Sequence, residues 1–78
     1  MKIIFETGKY YFAHGKNPAG RGYWGFYIGK DKEAFFVNGE HTFGSAKKAA
    51  ADEARRRAKD FALTFGTVPS VVVVEVAS

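Results

Sequence analysis

The chain has no cysteine. Disulfides and thiolate metal sites are therefore unavailable, and the redox compartment stays open. Long apolar runs are missing too. The opening stretch MKIIFETGKYY has too short an apolar segment for a secretory signal. No segment approaches the ~20 apolar residues that cross a bilayer. The expectation is a soluble, cytoplasmic protein with no membrane association. Catalytic groups are equally sparse. The serines are Ser45, Ser70 and Ser78, and the histidines are His14 and His41, each in or beside a glycine-containing turn. The helical carboxylates Asp52, Glu53 and Asp60 lie among arginines at salt-bridge spacings: Asp52 with Arg56, Glu53 with Arg57, Arg56 with Asp60. No acid–base pair or triad emerges, so no enzyme activity, metal or cofactor is expected.

What is present is a small, aromatic, basic chain. Its 78 residues are 46% hydrophobic and 17% aromatic, with a net charge of +4. That length supports one domain, 1–78. A chain of this size buries only ~60% of its unfolded surface, so its core has to be efficient. The pI of about 9.5 permits attraction to nucleic acid or to an acidic protein surface.

The strongest periodic signal is SAKKAAADEARRRAKDFALTF, residues 45–65. Ala46, Ala50, Ala54, Ala58, Phe61 and Phe65 recur at spacings of three and four and predict one apolar helix face. Ser45 is the expected N-cap, Gly66 the expected C-terminal stop, and Val68-Pro69 blocks continuation. Before the helix, residues 2–13 read as a hairpin of Lys2–Glu6 with Tyr10–Ala13, or as one bent strand. His14–Gly22 is a loop, because three glycines and a proline fall within nine residues. Residues 23–29 predict a strand in which Trp24, Phe26 and Ile28 face the core and Tyr23 and Tyr27 face away. Residues 33–38 predict its antiparallel neighbour. Asn38-Gly39 is a turn that closes a further hairpin onto His41–Phe43 or marks a bulge. Residues 70–77, with their valine run, predict a last strand. The order β(β)ββαβ describes an α+β two-layer sandwich, with an antiparallel sheet of four to five strands on one long helix.

Three features are candidates for binding. The helix carries six positive and three negative residues between Ser45 and Asp60, most of the chain's excess charge. Its cations include Lys47, Lys48, Arg55 and Arg56. The glycine-rich loop adds Lys16 and Arg21. It lacks the ending of a phosphate-binding P-loop and is followed by a strand. Tyr11, Tyr23 and Tyr27 are expected on the sheet face away from the helix, where they stack bases or anchor a protein.

The segment GSAKKAAADEARRRA resembles the last helix of double-stranded-RNA-binding domains. That resemblance implies that Lys47 and Lys48 meet phosphates. The segment from YWGFYIG through TFGSAKKAA resembles the three-stranded DNA-binding domain of plant ethylene-response factors and related integrases. There the sheet reads the major groove, although here only Arg21 stands near the strand. The functional expectation is a non-enzymatic basic binding protein that takes nucleic acid through the helix face or the tyrosine- and arginine-bearing sheet face. The alternative is a protein-interaction module, such as a small phage-type inhibitor on an acidic or nucleic-acid-binding protein. A homodimer through the C-terminal valine strand is a further expectation, on the premise that this strand lies at a sheet edge.

Overall fold

The computed structural model describes residues 1–77; Ser78, at the end of the expected 1–78 domain, lies outside them. Along the chain run β1 (Lys2–Glu6), α1 (Gly8–His14), β2 (Arg21–Gly22), β3 (Gly25–Ile28), β4 (Phe35–Phe36), β5 (His41–Thr42), α2 (Phe43–Phe65) and β6 (Val71–Val76). The α+β class matches the expectation. The sheet, however, is mixed, and there are two helices.

The four-stranded sheet has the order β1-β6-β3-β4. β6 pairs parallel with β1, from Lys2↔Val71 to Glu6↔Glu75. It pairs antiparallel with β3, from Phe26↔Val76 to Ile28↔Val74. The expected edge position of the valine strand is thus overturned: β6 is hydrogen-bonded on both sides. Its valine run is what such a central strand requires. Val72, Val74 and Val76 are buried against the helix, whereas Val73 and Glu75 face the other way and are half-buried.

The expected strand at Tyr10–Ala13 is a helix. Tyr11 N donates to Thr7 O at 2.9 Å, and Gly15 N closes the turn on Tyr11 O at 2.7 Å. Gly15 adopts φ 71°, which glycine reaches without a Cβ penalty. Tertiary packing overrides the β propensity of the aromatic run. Helical spacing lets Tyr10 stack on His14 at 4.1 Å and reach Trp24 at 5.6 Å, which no strand at this position offers.

The expected strand 23–29 shortens to Gly25–Ile28, and 33–38 shortens to two residues. The turn at Asn38-Gly39 does not fold His41–Phe43 back onto the preceding strand. His41–Thr42 pairs instead with Arg21–Gly22 in a separate two-stranded sheet. This pairing ties the end of the long loop to the start of α2, as does Phe43 N donating to Gly20 O at 2.9 Å. The helix begins two residues earlier than expected. Its cap is Thr42, whose Oγ1 accepts from Ser45 N at 3.2 Å, not Ser45.

The alanine face packs as its spacing predicts. Ala46, Ala50 and Ala54 are 0% exposed and sit in one cluster with Trp24, Phe26, Ile28, Val37 and the inward valines. Small side chains on α2 let it lie close over aromatic strands. The same periodicity misplaces Phe61 and Phe65, which are exposed because α2 outruns the sheet. A helix of 23 residues is about 34 Å long, whereas a five-residue strand covers about 17 Å. The overhang stretches the molecule to 40 × 24 × 20 Å.

Ala50→Leu has no room in this layer. It should lower stability by about 1–3 kcal/mol through overpacking. Thermal melting followed by circular dichroism should show a fall of at least ~4 °C, given the response expected of a domain this small.

Candidate functional site

The basic helix face is chemically quieter than its composition suggests. Every arginine in the chain holds a carboxylate. Arg21 meets Glu40 at 3.2 Å and Arg55 meets Asp52 at 3.1 Å. Arg56 donates to both oxygens of Glu53, each at 2.8 Å, and to Asp60 at 2.9 Å. Arg57 donates to Glu53 at 2.9 Å and crosses to Asp31 in the turn after β3. Two of the expected pairs form, Glu53 with Arg57 and Arg56 with Asp60. Asp52 takes Arg55, one residue nearer than the expected Arg56. The hydrogen bonds from Arg56, reinforced by Arg57, hold the Glu53 carboxyl down to about 2 from its ordinary 4.5, against the opposing effect of its partial burial. Arg56 is correspondingly pushed up by its bond to Glu53.

The lysines behave differently. Lys47 Nζ lies 4.8 Å from the centre of the Phe5 ring, a cation–π contact on β1. Lys48 is exposed on the outer side of α2, and Lys16 is exposed in the loop. Among the described residues neither has a carboxylate within salt-bridge distance, and the same holds for Lys2, Lys30, Lys32 and Lys59. The positive charge free for a partner is therefore lysine charge, and part of it lies off the helix.

The tyrosines do not cluster as expected. Tyr11 is on α1, outside the sheet. Tyr23 precedes β3, 80% exposed. Tyr27 alone of the three is on the sheet face that α2 leaves uncovered. Its aromatic companion there is Phe36, a residue not singled out from the sequence. The β3–β4 register pairs Gly25 with Phe36 and Phe26 with Phe35. Phe35 turns inward, its ring 5.9 Å from the Arg57 guanidinium on α2. Phe36 must then turn outward, and it is 70% exposed. Its ring lies over Gly25, where a Cβ would stand 2.7 Å from the ring edge. The glycine leaves a seat in which an aromatic ring lies down on the sheet with its other face in solvent. A glycine between Tyr23 and Tyr27, in the row that alternates with Trp24, Phe26 and Ile28, was the available signal for this seat, but its partner is fixed only by strand register.

Around Tyr27 three lysines meet two carboxylates, Glu75 and Asp31, the latter taken by Arg57. A hollow of about 420 Å³ is lined by Tyr27, Val73, Glu75, Lys9, Lys30 and Lys32, among others. Lys9 reaches Glu75 at 3.1 Å from α1. Among the described residues this leaves Lys30 and Lys32, on the turn after β3, unpaired beside an aromatic ring. Ile4 and Val73, neighbours in the β1–β6 register, add apolar surface next to them.

Near the start of α2, His41 organises a separate knot. Its Nε2 lies 2.8 Å from Asn38 O and therefore carries the proton, so Nδ1 accepts from the Ser45 hydroxyl at 3.3 Å. Trp24 Nε1 donates to His41 O at 3.0 Å. His41 is thus a joint between the turn, the core tryptophan and the helix. Among the described residues no group of three or more histidines or carboxylates is placed to hold a metal ion. Nor, among these residues, is any helix long and apolar enough to cross a membrane.

Glu53 gives the arginine network a pH signature. A carboxyl lowered in the folded state adds stability that is present above its unfolded value, near 4.5. That stability is lost as pH falls toward about 2. Glu53→Gln should cost about 1 kcal/mol at neutral pH. It should also flatten the loss of stability across that acidic window in urea titrations at successive pH values.

No family model matches the chain, and none of the curated proteins or solved structures compared with it matches either.

Proposed function

We propose that the protein is a non-enzymatic binding protein that takes single-stranded nucleic acid on its uncovered sheet face. The observation that carries this reading is the pair of outward aromatic rings, Tyr27 on β3 and Phe36 on β4, beside the unpaired Lys30 and Lys32. Rings on a flat sheet stack on unpaired bases, and every base offers a π-face. Lysines at the margin meet phosphates as point charges without reading sequence. A duplex keeps its bases stacked internally and cannot use the rings in this way.

The helix face is the weaker candidate of the two sequence-derived surfaces. Arg55 and Arg56 are bound to carboxylates, and a phosphate would have to displace them. Lys48 and Lys59 remain free there, and Lys47 leans on Phe5. Arg21 faces Glu40. Tyr23 and Lys16 are exposed and available, but they stand on the loop and not on the sheet.

A protein-interaction module is the second reading. It is favoured by Tyr11 and Phe12 on α1, the latter 93% exposed. Large exposed aromatic side chains of this kind anchor protein interfaces. An acidic partner surface would also satisfy the free lysines.

Fluorescence anisotropy with labelled single-stranded DNA, single-stranded RNA and duplex DNA separates these readings. Binding of a single strand should weaken steeply as salt rises from ~50 to ~200 mM, and the duplex should bind less well. Phe36→Ala and Tyr27→Ala should each weaken single-strand binding by about 1–3 kcal/mol, the loss of one stacked base. Arg55→Ala should change it little. No retention of any strand at ~50 mM salt would leave the protein-interaction reading in its place.

A further inference from the structure

The overhanging end of α2 is the feature that binding on the sheet face leaves unexplained. Phe61 and Phe65 continue the helix line of the buried alanines, but no strand lies beneath them. Their rings lie 4.5 Å apart, and they are 43% and 66% exposed. Directly beside them the sandwich opens into a groove of about 560 Å³. Ala54, Ala58 and Phe61 form its helix wall, with Ile28, Val72 and Pro69 opposite. The groove is the core continued into solvent. The alanines that bring α2 close to the sheet leave it hollow where the sheet ends.

We propose that a second copy of this chain docks here, by a two-fold contact in which the aromatic pair of each copy enters the groove of the other. Two features select a second copy. First, projection and cavity adjoin each other on one surface of one chain, as a self-complementary two-fold contact requires. Second, the charge pattern favours it. The chain is +4 overall, so two copies repel over most of their surface, yet Phe61 to Val74 contains no charged residue. At the groove's margin Arg57 is neutralised by Asp31, leaving Lys30 as its one unpaired cation among the described residues. An uncharged apolar end is where like-charged copies meet at least electrostatic cost. This contact replaces the C-terminal strand as the dimer surface, because β6 has no free edge. Tyr27 and Phe36 stay outside this groove, which shares Lys30 and Val73 with the hollow beside Tyr27.

Sedimentation velocity across a dilution series from about 1 μM to 1 mM tests the proposal. The expected result is a shift from 8.6 kDa to twice that mass as concentration rises, strengthened by added salt because like charges are screened. Phe65→Asp should abolish the shift while keeping the helical circular dichroism of the parent, since the ring is already exposed. Val71→Asp, at an exposed residue of the groove lining, is the second variant should Phe65→Asp fail to fold. Phe12→Asp, an equally drastic change on α1, should leave the dimer intact. Three results would overturn the proposal: a monomer at 1 mM, a dimer that survives both Phe65→Asp and Val71→Asp, or a dimer dissociated by Phe12→Asp. So would a monomer whose groove is found occupied by a different protein in cross-linking from cell extract.

Discussion

Two rows of backbone hydrogen bonds hold β6 between β1 and β3. That placement decides what each remaining surface is free to do. Because the strand is central, its inward valines are covered by α2 and its outward residues form the middle of an uncovered face. Because β1 and β6 are the first and last elements along the chain, the segment between them supplies every other one, including the loop, the three two-residue strands and the long helix. α2 can cross only one side of so small a sheet. The other side is left with Ile4, Val73, Tyr27 and Phe36 in a register fixed by the same ladder. The core and the candidate site are thus the two faces of one strand arrangement.

Arginine and lysine divide the electrostatics between them. On α2 the guanidinium groups are matched to carboxylates three and four residues away, and Glu53 is gripped by two of them. Such pairs stabilise a helix modestly and remove its charge from use by a partner. Among the described residues the lysines of the turn after β3 have no such partners. A chain whose sequence concentrates positive charge on the helix therefore offers much of its usable charge elsewhere. The arginine count alone misleads because pairing depends on rotamer reach as well as on spacing. Asp52 has Arg55 and Arg56 at three and four residues, and only the nearer one takes it.

Much of the fold was legible in local patterns. The alanine spacing gave α2 and its buried side, and the Trp24, Phe26, Ile28 alternation gave β3 and its inward face. Gly66 marked the helix end. What was not legible depended on contacts distant in sequence. The run Tyr10–Ala13 has the composition of a strand, yet Tyr10 is drawn to Trp24 in helical geometry. The valine strand reads equally well as an edge or a centre until its neighbours are known. Thr42 displaced Ser45 as the cap because β5 runs directly into the helix. The candidate site was half visible. Tyr27 followed from alternation, but Phe36 needed the β3–β4 register, which a two-residue strand does not announce. Phe61 and Phe65 obey the helical period, but a period cannot say where the sheet beneath it ends.

The central claim is that the sheet face, and not the basic helix, meets nucleic acid. Amide chemical-shift mapping with a short oligothymidine addresses it directly, since each face reports through its own residues. The account predicts shifts concentrated at Gly25–Lys32 and Phe35–Phe36, with the outer side of α2 around Lys48, Arg55 and Lys59 undisturbed. Shifts confined to that outer side of α2, with Tyr27 and Phe36 unmoved, would contradict it.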